Sequence, residues 1–351
     1  MQQESAMRVF YRRNTDTIRL LFITIVIFIT MSSLSSRFLR ANNFLSMGFQ
    51  IPELGFYSIA MMLVMITGGR DLSIVGIGNL SCIVAALIMH NGYVAGLAGR
   101  AMIMNIFLGV MAALLVGVVC GLFNGVIVAF TGLPSMLVTM ATSYIFTGIG
   151  VVLTNGEAIS KVYPEYVYFG NNSVLGLPIP LWFLIAALCI TWLLLNKTRY
   201  GFEIKMVGSN PLASRFSGIN IHSVLIKTYL ISGIFCAICG LEILARTDSA
   251  KADYALTYTF QAILCAVLGA TDPNGGFGKV STLVLSLISM QLLSSGFNML
   301  RLGNYFKEFA WGVLLLVVLS ANFLNKEISR RRYVAKMNQR AIEADESKNN
   351  S

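Results

Sequence analysis

Most of this chain cannot be exposed to water. Apolar runs of about 20 residues recur along its length. YSIAMMLVM (57–65) stands directly before ITGGRDLS (66–73), and IVGIGNLSCIVAALIM (74–89) directly after it. A helical run of about 20 residues matches the ~30 Å hydrocarbon core of a bilayer. Charged residues make up 12% of the 351 and hydrophobic residues 56%, where a soluble domain carries about 25% charged. Mean hydropathy is +0.72. A membrane barrel would need alternating strands of about ten residues, and that alternation is absent. Lipid-facing backbone must satisfy its own hydrogen bonds, so helices are the remaining solution. The expected fold class is an all-α polytopic membrane protein, one bundle with broken or re-entrant segments, rather than the two soluble domains that length alone suggests.

Ten spans are expected, near 18–36, 48–67, 72–90, 103–130, 134–154, 180–195, 224–245, 257–271, 279–300 and 308–324. An even number puts both termini on one side. With the N-terminus inside, 18 of the 26 Lys and Arg lie cytoplasmic and 8 outside, as the positive-inside rule requires. The chain then divides into a cytoplasmic N-terminal segment (1–17), a transmembrane domain (18–324) and a basic cytoplasmic tail (325–351). The loop 196–223 falls inside and 155–179 outside. Residues 20–31 could pass for a signal-peptide core, but the basic leader is long and no A-x-A site follows, so the segment reads as a retained first helix.

Several function classes fall away. The +10 net charge sits in blocks at predicted helix ends, and no soluble domain remains to carry a nucleic-acid surface. The six cysteines all lie in apolar runs. Cys236 and Cys239 form C-x-x-C, which within a membrane helix reads as packing rather than redox or metal chemistry. His90 and His222 are the only histidines, so a His-based metal site is not expected. DPNGGFGKVST (272–282) looks like a phosphate loop, but G-x-x-x-x-G-K-[ST] fails: Val280 follows Lys279, and Pro273 stands at the first position. No Ser/His/Asp set or carboxylate pair has usable spacing. The chain is expected to be no enzyme, with no cofactor and no nucleotide site of its own.

The charges inside the apolar pattern are more informative. Arg or Asp at a helix centre costs about 2.5–3.5 kcal/mol on the insertion scale. Arg70 and Asp71 therefore belong at a helix break inside protein or beside a water-filled path, where Gly68 and Gly69 let the chain turn. An ordinary turn between spans is the plainer alternative. Gly275 and Gly276 mark a second such break. The stretches 57–89 and 258–290 share the pattern apolar, Gly/Asp break, apolar, which hints at an internal duplication. In 197–227, Pro211 suits a first helical turn, Ser209 or Asn210 a cap, and Gly218 a stop. That short helix on a basic loop suits docking to a partner; a surface helix lying on the bilayer is the plainer alternative. Glu242 and Arg246 stand i, i+4, the favourable orientation for a pair. Glu53, after Pro52, lies on a path or snorkels outward. Gly117 and Gly121 (GVVCG) have the spacing that lets helices approach closely, and the long span 103–130 is expected to tilt or bend there. The spans near 180–195 and 257–271 are short, as broken helices near a transport path often are.

Three segments together carry a resemblance. TGGRDLS (67–73), GSNPLASRFSGIN (208–220) and ILCAVLGATDPNGGFGKV (263–280) resemble, in order and spacing, motifs of the membrane permeases of ribose-type sugar ABC importers. The resemblance covers nearly the whole chain, and autoinducer-2 permeases are close relatives. The N-I-G-x-E-G element of the nucleoside branch is absent. The resemblance implies a ten-helix permease of the bacterial inner membrane, paired with a second permease subunit. It implies two ATPase chains on coupling loops (about 197–222) and an extracytoplasmic sugar-binding protein. Gly208, Asn210, Pro211, Ala213, Arg215 and Gly218 would couple to the ATPase. Gly68, Gly69, Arg70, Asp71, Gly275 and Gly276 would form the helix breaks along the path. Two positions depart from the family. Arg70 replaces an apolar residue and is expected to alter the break or add a salt partner. Ala270 replaces the second Gly of L-G-G and is expected to change packing only. The rival reading is an ion- or proton-coupled secondary transporter, which would work without an ATPase. The solute could be a pentose, a hexose or a sugar-derived signal.

Overall fold

The computed structural model describes residues 6–303, 305–320 and 324. The basic tail 325–351 and residues 1–5 lie outside the described residues. Every expected span lands on helix. Among the described residues, eight helices are long and apolar enough to cross a membrane. Six of them are α1 (Ala6–Leu34), α2 (Ala41–Ile66), α3 (Ile74–Val94), α4 (Arg100–Thr131), α5 (Ser135–Thr154) and, after the short α6 (Pro164–Asn171), α7 (Ile179–Lys197). Two short helices follow, α8 (Arg199–Ser209) and α9 (Pro211–Phe216). The remaining long helices are α10 (Ile221–Thr247) and α12 (Val280–Met299), separated by α11 (Tyr258–Leu268). A further helix, α13, covers 305–320.

One expected span is shorter than a membrane crossing. At 1.5 Å per residue, the 11 residues of α11 reach about 16 Å, half of a ~30 Å core. The chain before it, 251–257, is irregular, with Ala252 buried in the protein. There Asn79 of α3 donates its amide to the carbonyls of Ala252 (3.0 Å) and Tyr254 (2.8 Å). Non-helical backbone is tolerated at such depth only where protein satisfies it. In α13, residues 321–323 of the expected span 308–324 lie outside the described set. At the other end, α1 begins at Ala6, so residues 6–17 are helical and continuous with the first expected span.

The core is built around α2 and α3. From Pro52 to Ile66 every residue of α2 is buried, as are 14 of the 21 residues of α3. The long α4 runs unbroken through Gly117 and Gly121 and packs on α10. A Cβ at Gly117 would fall on the Gly233 carbonyl oxygen, and one at Gly121 on that of Tyr229. The small residues serve backbone approach here, with no interruption of the helix. Cys236 and Cys239 are buried in the same α10 and are not bonded to each other. On the far side of the bundle, Ile159–Ser160 pairs antiparallel with Ser249–Ala250. This pins the 155–179 loop to the end of α10, where Asp248 accepts from the Val162 N–H (2.9 Å).

Candidate functional site

Three chain segments, far apart in sequence, meet at one end of the bundle. The first is the end of α2. Gly68 N–H donates to the Met65 carbonyl (2.9 Å) and Gly69 N–H to that of Val64 (3.3 Å), the two bonds of a Schellman stop. Gly68 holds the left-handed position at φ +87. The second is the end of α8 at Gly208 and Ser209. The third is the 269–279 loop. Gly276 N–H donates to the Ile66 carbonyl (2.8 Å). A Cβ on Gly208 would fall on that same Ile66 oxygen and 2.5 Å from Gly276 N; one on Gly275 would lie 2.7 Å from Gly68 N and 2.8 Å from the Gly208 carbonyl oxygen. The approach is backbone against backbone, so no side-chain movement could relieve a substitution at Gly208.

Asp71 is fully buried just past the turn. Its Oδ1 accepts from the Ser73 N–H (3.0 Å) and the Ser73 hydroxyl (2.6 Å), and its Oδ2 accepts from the Ser232 hydroxyl of α10 (3.3 Å). Asn124 of α4 donates to the Ser73 hydroxyl (2.7 Å). The break is thus locked to two neighbouring helices. The backbone of Arg70 is held as well: its N–H donates to the Ser135 hydroxyl (3.0 Å), and its carbonyl accepts from Thr139 (3.1 Å). Its guanidinium makes no hydrogen bond or ion pair among the described residues, so Arg70 and Asp71 do not pair. Gly69 sits within a close Cβ approach of the Ser135 and Tyr229 side chains.

Attached directly to this junction is the short helix α9. Asn210 is its N-cap, accepting from Ala213 N–H (3.0 Å), and Pro211 fills the first turn. Ser209 instead donates back to the Lys205 carbonyl (2.9 Å). The helix stops at Gly218, φ +79. Ser214 is fully buried, while Pro211, Ala213 and Arg215 are exposed; Leu212 and Phe216 project at 65% and 85% exposure. Two bare apolar side chains on a six-residue helix form a small contact surface. In α8, burial lowers the Lys205 ammonium below the usual lysine value, and it donates to the Leu195 carbonyl (2.9 Å).

At the opposite end the structure corrects a pairing. Arg246 does not bond Glu242, four residues away. It reaches across to Glu53 of α2, donating from Nε to Oε1 (2.6 Å). Tyr258 donates to the other Glu53 oxygen (3.2 Å), and Arg246 also donates to the Tyr254 hydroxyl (3.2 Å). Glu53 is fully buried and does not snorkel. Glu242 is buried with neither oxygen hydrogen-bonded. The i, i+4 rule describes an exposed helix surface; inside a bundle the packing of neighbouring helices decides which carboxylate the guanidinium reaches, here Glu53. Sequence spacing holds no signal for such a contact between residues 193 positions apart.

The family model described as "Branched-chain amino acid transport system / permease component" matches residues 43–319. The chain belongs to this family of permease components. The ribose import permease protein RbsC of Escherichia coli K12 is 29% identical over 303 residues, 85% of this chain and 91% of that protein. The RbsC of Bacillus subtilis is 30% identical over 302 residues, covering 85% and 89%. The autoinducer 2 import system permease protein LsrD of Enterobacter sp. strain 638 is 28% identical over 313 residues, covering 87% and 92%. No solved structure matches the chain. The resemblance read from TGGRDLS, GSNPLASRFSGIN and the 263–280 segment is borne out at the level of family. The permease is a multi-pass, all-α membrane protein.

Proposed function

We infer that this permease is the membrane-spanning subunit of an ATP-driven importer for a sugar or sugar-like solute, powered by separate ATPase chains. The observation that carries this reading is the junction. The helix α9, with Leu212 and Phe216 bare, is joined through Gly208 to both helix breaks by backbone contact. A push on α9 therefore reaches Ile66 and Gly276 with no flexible side chain between. In this reading Asn210, Pro211, Ala213, Arg215 and Gly218 shape the surface an ATPase would grip. Gly68, Gly69, Arg70, Asp71, Gly275 and Gly276 form the part of the path wall that moves. The relatives named for ribose and autoinducer 2 import support a sugar-like solute.

The same reading places α9, both termini and the basic tail 325–351 in the cytoplasm, with 18–324 as the permease domain. It pairs the chain with a second permease subunit and an extracytoplasmic binding protein. Co-purification tests the assignment: the wild type should retain an ATPase chain through size exclusion, and Leu212→Asp with Phe216→Asp should lose it. A permease that transports at full rate with both substitutions overturns the assignment. Topology is tested with Phe216→Cys, since Ser214 is buried. A membrane-impermeant maleimide should label it in inverted vesicles and not in intact cells.

The buried carboxylates Glu53 and Glu242 favour a second reading, transport coupled to protons without an ATPase. Uptake by that route would collapse with a protonophore and ignore orthovanadate. The importer would do the reverse.

A further inference from the structure

A cavity of about 270 Å³ lies between α2, α11, α12 and α13, remote from the junction. Gln50, on its wall, precedes Ile66 by 16 positions, about 24 Å along α2. Three glutamines from three helices converge there: Gln50, Gln261 and Gln291. Trp311 supplies an aromatic wall and is buried, as are Gln261 and Gln291. Polar amides in a membrane bundle are expensive unless satisfied. Their hydrogen bonding within the protein is incomplete. Gln291 Nε2 donates to Gln50 Oε1 (3.2 Å). Among the described residues no other bond is made by these two amides, and none by the side chain of Gln261. An amide holds two donors and an acceptor with two lone pairs, so most of this capacity is unused in side chains that line the cavity.

Resting on the importer reading, we propose that this cavity is a subsite for a neutral polyhydroxylated solute of pentose or hexose size. Each hydroxyl of such a solute both donates and accepts, as each free amide does. The Trp311 ring provides an apolar face for the carbon side of a sugar ring. Lys307 and Glu308 both border the cavity and bring one charge of each sign, which favours no net charge in the occupant. At about 30 Å³ per water the space equals about nine waters, enough for a single sugar ring. The wall is pre-positioned, because Tyr258, which also lines it, is anchored to Glu53 of the buried ion pair.

The test uses the full-length permease in nanodiscs with Cys189→Ser, which removes the exposed native thiol, and Ser294→Cys in the cavity wall. D-Ribose, D-glucose and sodium chloride at matched osmolarity are the probes, and N-ethylmaleimide alkylation is the readout. One of the sugars should slow alkylation at least threefold, sodium chloride should not, and adding Gln261→Ala or Trp311→Ala should abolish the protection. Thr257→Cys on the facing wall replaces Ser294→Cys if that variant does not assemble. Equal rates with and without either sugar overturn the subsite. Uptake of radiolabelled D-ribose and D-glucose by the complete importer separates the two readings. Sugar uptake that survives Gln261→Ala unchanged sinks the subsite and leaves the importer standing. Protection without any ATP-dependent sugar uptake upholds the subsite and sinks the importer.

Discussion

The chain leaves α2 and α11 through the same pair of backbone hydrogen bonds. At α2 they run from Gly68 to Met65 and from Gly69 to Val64; at α11 they run from Ala270 to Val267 and from Thr271 to Ala266. Both loops then place an aspartate that accepts from the N–H two residues on, Asp71 from Ser73 and Asp272 from Asn274 (2.9 Å). The likeness strengthens the duplication hinted at by 57–89 and 258–290, and the two breaks touch through Ile66 and Gly276. They differ in closure. Asp71 is fully buried and tied to α10 through Ser232, whereas Asp272 is half-buried beside an exposed Asn274. They also differ at the left-handed residue, Gly68 in one and Ala270 at φ +57 in the other. Ala270 was expected to matter for packing only. It instead holds a backbone conformation that costs an L-residue about 1–2 kcal/mol. One break is sealed into the bundle; the other is only half-buried and carries strain.

The largest effect is expected where the breaks join. Gly208→Leu drives a side chain into the Ile66 carbonyl and Gly276 N–H, with backbone on both sides. It should cost more than about 4 kcal/mol and leave no assembled permease by size exclusion. A variant with wild-type yield and uptake would show that the breaks are not rigidly joined. Next comes a paired test of burial. Asp71→Leu strands the Ser73 N–H and two hydroxyls away from water, at about 1–3 kcal/mol each, whereas Asp272→Leu should cost less, because Asp272 is half-buried and water reaches Asn274. Apparent Tm in detergent reads both, and equal losses would dissolve the distinction between sealed and open. Gly68→Ala should cost less than Asp71→Leu, about 1–2 kcal/mol. The smallest effect runs the other way. Ala270→Gly should raise the apparent Tm by about 1–2 °C, relief of backbone strain being partly offset by a more flexible unfolded chain. A fall in Tm would mean that the Ala270 methyl contributes more packing than its conformation costs.

Much of this was legible in the chain. All ten apolar segments are helical, the glycine positions of both breaks are turns, and α9 has the expected cap and stop, because these depend on neighbours within a few residues. That α11 is short was legible, but its end was not, since Gly269, Ala270 and Thr271 carry no charge to mark the boundary and belong to the turn. The pairing of Arg246 was misread because a local rule was applied to a residue whose partner is on another helix. Arg70, expected to alter its break or gain a salt partner, has no ion pair among the described residues.

By itself the sequence determined that the chain lives in a membrane, where it turns, and which family it belongs to. Insertion cost and backbone hydrogen bonding act locally and leave a readable pattern of apolar runs, glycines and caps. Only the tertiary structure decided that Ile66, Gly208 and Gly276 form one rigid junction, that Glu53 holds Arg246, and that three glutamines face one cavity. Those contacts join positions scattered along the chain, and close packing, not periodicity, selects them.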